Sequence, residues 1–106
     1  MIDFAISQRQ TLRIQYKDDS DRWVNPYVLG ETTTGKVMLS AFQTNGASAS
    51  GEDRGWKLFN VEEIRDMSLI YEWFEVREDY NAEDKVFKKV LNRIPARLVE
   101  VVGWGE

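Results

Sequence analysis

Between Thr11 and Lys17 the chain changes its hydrophobic period, and that change limits what it can fold into. Ahead of it, Ile2, Ala5 and Ile6 recur at helical spacing and stop at Arg9. This predicts a short helix near residues 3–10 with one buried stripe. From Thr11 the period is two: Leu12, Ile14 and Tyr16 alternate with Arg13, Gln15 and Lys17. That is the pattern of a strand with one face in water, and its apolar face needs another layer to cover it.

The same logic places the next strands. Asp18-Asp19-Ser20-Asp21 is a polar turn, and Arg22-Trp23-Val24 opens the partner strand. Pro26 has no N–H to donate, so this second strand is expected to be an edge or to end there. Gly30 to Gly35 reads as a loop, and Val37 to Phe42, apolar on both faces, as a central strand. Asn45 to Asp53 (NGASASGED) is small and polar, a long hairpin loop expected to bury nothing and to be unnecessary for folding. Trp56 to Val61 returns as a strand with Trp56 and Leu58 inward and Lys57 outward, and Ser68 to Val76 follows as the last long one.

At Asn81 the period changes again. Asn81 is placed to cap a helix with Asp84 in its first turn, and Val86, Phe87, Val90, Leu91 and Ile94 form an apolar stripe ahead of Pro95. The expectation is a second helix near residues 82–93, with Leu98 to Trp104 adding a strand or packing across the core. The fold class is therefore β-rich α+β, one domain over residues 1–106 with a helix at each side.

Composition removes several functions. There is no cysteine and no histidine, which excludes a disulfide frame, a thiolate zinc site, a cysteine nucleophile and the commonest general base. The formal charge of −4 argues against a protein that mainly coats nucleic acid. The excess is local: through Asn60 seven bases match seven acids, and the surplus acids all lie beyond it. No apolar run is long enough to cross a bilayer and no signal pattern opens the chain, so a cytoplasmic protein is expected.

Motif by motif, the chemistry thins out. The acidic turn at Asp18 lacks the alternating ligands and central glycine of a calcium loop, since Arg22 and Trp23 stand where ligands belong. Gly46 to Gly51 has the glycine spacing of a phosphate-binding loop, but Glu52 and Asp53 replace its lysine and hydroxyl. Nothing pairs a serine or threonine with a base, so no catalytic residue, metal ligand or cofactor is assigned and the chain is read as non-enzymatic. The basic residues remain: Arg13 and Lys17 on one face of the first strand, Arg22 opening the second, Arg54 leading a later strand and Lys57 within it.

The order of these residues resembles the WYL domain, a ligand-sensing module of bacterial regulators and phage-defence proteins. The likeness begins in AISQRQTLRIQY, continues in Tyr16, Arg22, Val24, Pro26 and Leu29, and resumes in RGWKLFNV at Arg54, Trp56, Lys57, Leu58 and Val61. It covers roughly residues 1–76, leaving 77–106 as the helix and tail. The naming tripeptide corresponds to Val37-Met38-Leu39, of which only the leucine is kept, and Phe59 and Asn60 stand where the family has an acid and a second arginine. The resemblance implies a small five-stranded barrel of the Sm or Src-homology-3-like type. It also implies a basic and aromatic site for nucleotides, oligonucleotide ends or other anions, serving transcription regulation or phage defence. Most members carry a helix-turn-helix ahead of the domain, and this chain has no room for one. It is expected to stand alone or to serve a separate regulatory partner, with a homo-oligomer open and no membrane involved.

Within that resemblance, Arg22 and Arg54 are the expected anion donors, because a guanidinium fork grips phosphate through two bonds. Arg13 and Lys57 add charge, and Tyr16 or Trp23 supplies a ring for a base to stack on. The alternative is a protein–protein interaction module of the same fold whose ligand pocket has decayed.

Overall fold

The computed structural model describes residues 1–48 and 51–95. Helix α1 (Ile2–Gln8) leads into β1 (Gln10–Gln15), β2 (Asp21–Glu31), β3 (Val37–Gly46) and β4 (Gly55–Asn60). One 3-10 turn, Val61–Glu63, joins β4 to β5 (Asp66–Trp73), and β6 (Lys89–Arg93) comes last. Every pairing is antiparallel, in the order β4-β3-β2-β1-β5, with β6 added alongside β2. The helix stops where expected because Arg9 turns to φ 54, which breaks the run, while its backbone N–H still bonds back to the helix.

Strand β2 organises the sheet. One edge of its first part, Asp21 to Val24, pairs with β1, and the same edge of its last part pairs with β6 from Val28 to Glu31. Pro26 lies between these two partners, beside a register shift from Pro26 to Val28 against β3. The expectation that Pro26 ends the strand or marks an edge is thus corrected. A bulge in the gap between two neighbours asks for no ladder bond that a proline lacks, and Pro26 is fully buried there.

The second helix is also corrected. Residues 82–88 form turns and Lys89–Arg93 is a strand. Two causes are visible. Asn81 and Asp84 accept the N–H groups of Glu83 and Val86 two residues ahead, local bonds that compete with a helix. Beyond Val24, β2 has an unpaired edge, and β6 satisfies it with Val90 opposite Gly30 and Arg93 opposite Val28. The apolar stripe accordingly splits: Phe87 and Ile94 are buried, while Val86, Val90 and Leu91 are exposed. The tail from Leu98 to Trp104, expected to be a strand or a cover, lies outside the described residues.

The expected five-stranded barrel becomes a six-stranded sheet, and it is not closed: among the described residues β4 and β5 do not pair. Directly opposed residues share a face, so the register defines an inner surface. It carries Leu12 opposite Val24, Ile14 opposite Arg22, Leu39 opposite Phe59 and Ala41 opposite Lys57. Leu12, Ile14, Val24, Leu39, Ala41 and Phe59 are fully or almost fully buried.

Strand β4 therefore has the opposite face from the one expected. Trp56 and Leu58, expected inside, are 37% and 42% exposed, and Phe59 fills the core with Lys57 on its side of the strand. A shift of one residue moves every side chain to the other face, and GWKLF offers apolar groups to both. The outer face is covered in turn. Residues beyond Trp73 cross over Phe42, bringing Phe74 and Tyr80 against Tyr27, which also meets Trp56. The Arg77 guanidinium lies 3.9 Å over the Phe42 ring. No helix of the described residues is long and apolar enough to cross a membrane.

Candidate functional site

Where the inner face meets the open side of the sheet, a cleft of about 420 Å³ is lined by Tyr16, Lys17, Asp18, Arg22, Ser48, Lys57, Leu58 and Phe59. Its wall is assembled from β1, β2 and β4. Tyr16 follows β1 and packs edge-on against Phe59 of β4, with ring centroids 5.2 Å apart. The Tyr16 hydroxyl accepts the Asn60 N–H at 2.9 Å and donates to Glu63 at 3.3 Å, so the phenol is fixed at both sides. Burial pushes the Tyr16 phenol above its ordinary value, against the opposing effect of the Asn60 bond.

Arg22 sits beneath these rings. It is 5% exposed, with its guanidinium 5.3 Å from the Tyr16 ring and 5.7 Å from that of Phe59. Its Nη2 donates to Asp18 Oδ2 at 2.8 Å and its Nε to Ser20 Oγ at 3.2 Å. A buried guanidinium needs such partners, because an unpaired charge out of water is costly. Gly46 makes the strand crossing possible opposite Arg22: at φ 108, a Cβ there would stand 2.4 Å from the Asp21 carbonyl oxygen. Asp18 is held at about 2 by its bonds to Ser20 first and by Arg22 after them, so it is a carboxylate at any ordinary pH.

Lys57 reaches the same cleft from the core side of β4. Its ammonium donates to Ser48 Oγ at 2.9 Å and to the Glu52 carbonyl at 2.8 Å. Gln43, fully buried beside it in the sheet, donates to the carbonyls of Ala47 and Asp53. The loop expected to bury nothing therefore supplies acceptors to a buried amide and to a cleft lysine. Lys17 completes the cationic lining and pairs with Glu63 at 3.1 Å. Three cations and one carboxylate line this cleft, with Arg22 paired to Asp18 and Lys17 to Glu63.

The six residues expected to bind ligand are divided by the sheet. Tyr16, Arg22 and Lys57 come together in the cleft. Arg13 and Trp23 lie opposite each other on the outer face of β1 and β2. Arg13 there bridges Asp21 and Asp66, each at 2.8 Å, so its charge is already matched. Arg54 lies on the Phe42 side, 5.8 Å from that ring, with a long 3.5 Å bond to the Thr44 carbonyl. Lys17, Asp18, Ser48, Leu58 and Phe59 were not expected in the site. Asp18 has a legible signal, four residues before Arg22 in an Asp-x-Ser turn; Phe59 needed the face of β4, which the sequence left two ways to assign.

Comparison of the sequence with family models and with curated proteins finds no match. The fold is similar to that of proteasome accessory factor B/C (PafBC) of Arthrobacter aurescens, with a TM-score of 0.58 and 19% sequence identity. The likeness covers 76% of this chain and 13% of that one. At this identity it concerns the fold alone. Among the described residues no group of three or more acidic side chains is placed to hold a metal ion.

Proposed function

We propose that this chain is a non-enzymatic, WYL-like regulatory domain that binds a small anionic ligand, such as a nucleotide or an oligonucleotide end, in the cleft between β1, β2 and β4. The observation that carries the reading is Arg22: almost fully buried, fixed beneath Tyr16 and Phe59, and sharing the cleft with Lys57 and Lys17. A phosphate there meets preoriented donors, and a base has the Tyr16 ring beside it. The fold likeness to PafBC is consistent with a WYL-like domain and a regulatory role. Arg54, Arg13 and Trp23 have no part in this version of the site.

The test is a thermal-shift series with inorganic phosphate, nucleoside monophosphates and 5′-phosphorylated dinucleotides. A ligand at a hundred times its Kd adds about 2.7 kcal/mol, on the order of 10 °C for a chain of this length. Lys57→Gln and Arg22→Gln are expected to abolish the shift. The reading fails if no anion stabilises the protein, or if both variants respond like the parent.

One observation favours a second reading. Asp18 already occupies Arg22, as an internal anion. In that reading the cleft is closed from within, and the domain serves as an interaction module through its exposed apolar residues. Asp18→Asn separates the two, since a ligand site then gains affinity severalfold, whereas a decayed one stays silent.

A further inference from the structure

A second cavity lies on the opposite face of the sheet, and its chemistry has the opposite sign. It measures about 160 Å³ and is lined by Ser40, Trp56, Asp79, Tyr80, Asn81 and Asp84. We propose that it is a binding site for an alkylammonium cation of the size of a lysine side-chain head.

Both aromatic rings are held in place by a hydrogen bond at their polar edge. Trp56 Nε1 donates to Asp79 Oδ2 at 3.2 Å, and the Tyr80 hydroxyl donates to the Ile94 carbonyl at 2.7 Å. The rings stand 24° from parallel with centroids 6.3 Å apart. Trp56 remains 37% exposed although it is fixed in this way, so part of the indole faces the cavity and solvent. A fixed, accessible indole presents the negative face of its ring, and indole is the best cation–π partner among the side chains.

The carboxylates add to that preference. Asp79 is matched by Arg77, whose Nε lies 2.9 Å away, and the Arg77 guanidinium is itself drawn aside over Phe42. Asp84 has no ion pair among the described residues; its Oδ1 accepts the Val86 N–H. One carboxylate without an ion pair thus lines the cavity beside two aromatic side chains. A phosphate is repelled, and a neutral ligand leaves the Asp84 charge without an ion pair. Among the described residues no group of three or more acidic side chains gathers here to hold a metal ion. An organic ammonium satisfies both features at once, with methylene or methyl groups on the rings and its charge toward Asp84. A free amine and a lysine side chain of a protein share this chemistry.

The site is tested with tetramethylammonium chloride, followed by the indole and backbone N–H resonances of 15N-labelled protein, against sodium chloride at equal ionic strength. Saturable shifts of the Trp56 indole resonance and of the backbone amides of Tyr80, Asn81 and Asp84 are expected, with the amide shifts lost in Trp56→Leu. Asp84→Asn, a change at an exposed position, should weaken binding about two- to fivefold, as for one exposed charge pair. A lysine-containing peptide that shifts the same resonances more tightly than tetramethylammonium identifies a protein as the source. A response to tetramethylammonium alone identifies a free amine, and either supports the site. No saturable shift beyond that of sodium chloride, or amide shifts equally strong in Trp56→Leu, overturn it. Because the anion cleft is on the other face, its failure leaves this result unaffected.

Discussion

Replacing Gly30 with alanine tests whether the C-terminal segment is the strand that builds the outer face. Gly30 pairs with Val90, and its φ lies outside the left-handed region, so alanine fits the backbone itself. The difficulty is space. A Cβ at Gly30 stands 2.6 Å from Phe87 Cδ1 and 2.7 Å from the Lys89 carbonyl oxygen, and the second of these is backbone. Overpacking of this kind costs about 1–3 kcal/mol. The smaller entropy of an unfolded alanine returns about 0.4–1 kcal/mol. The net expectation is a loss of about 1–2 kcal/mol. With about 2.1 cal/mol/K of unfolding entropy per residue over 106 residues, Tm falls by about 5–9 °C. Urea unfolding should show a lower midpoint with an unchanged slope. The cycle with Phe87→Leu should show coupling, because the smaller side chain relieves the first contact and leaves the second. If residues 82–93 formed a helix elsewhere, Gly30→Ala would meet nothing and would stabilise. An unchanged or higher Tm therefore refutes the placement of β6.

Three further outcomes follow from the geometry. Asp18 has a depressed carboxyl in the folded chain, so its contribution to stability is complete above the ordinary value of 3.8 and is lost as the pH falls through about 2. Urea midpoints measured from pH 5 to pH 2 should decline more steeply in the parent than in Asp18→Asn. Arg54→Ala, remote from the cleft, should leave both Tm and the phosphate-induced shift unchanged; a lost shift would return Arg54 to the site. Gln43→Leu removes the amide that holds the Ala47 and Asp53 carbonyls, so trypsin should cleave after Arg54 faster than in the parent, with equal rates counting against a tethered loop.

The first strand was legible because its period is unambiguous and local: Leu12 and Ile14 leave one choice of inner face, and both are buried. The run from Val37 to Phe42 was legible as a central strand because it is apolar on both faces, and β3 is paired on both edges. The second helix was not legible because its decisive partner is distant. The stripe from Val86 to Ile94 fits a helix by itself, but it lies where β2 has an edge to pair, and that edge exists only because β1 ends its pairing at Val24. A bulge at Pro26 lets β2 continue to that point, and no local propensity records it.

The division of the expected site follows from a single face on β4. Placing Trp56 and Leu58 inside makes Lys57 an outward cation and puts Arg54 at the rim of the apolar surface. With Phe59 inside, Lys57 belongs to the cleft, and Arg54, three residues before Lys57, falls with Phe42 on the far side. The same change gives Trp56 a new role. An indole lost from the core becomes the wall of a cavity that Asp79, Tyr80 and Asp84 complete, the last of them from the segment expected to be helical. Two misread elements thus meet at one place. Residue types alone named the cations, and the register decided which of them share a face and left the opposite face with an aromatic and acidic cavity.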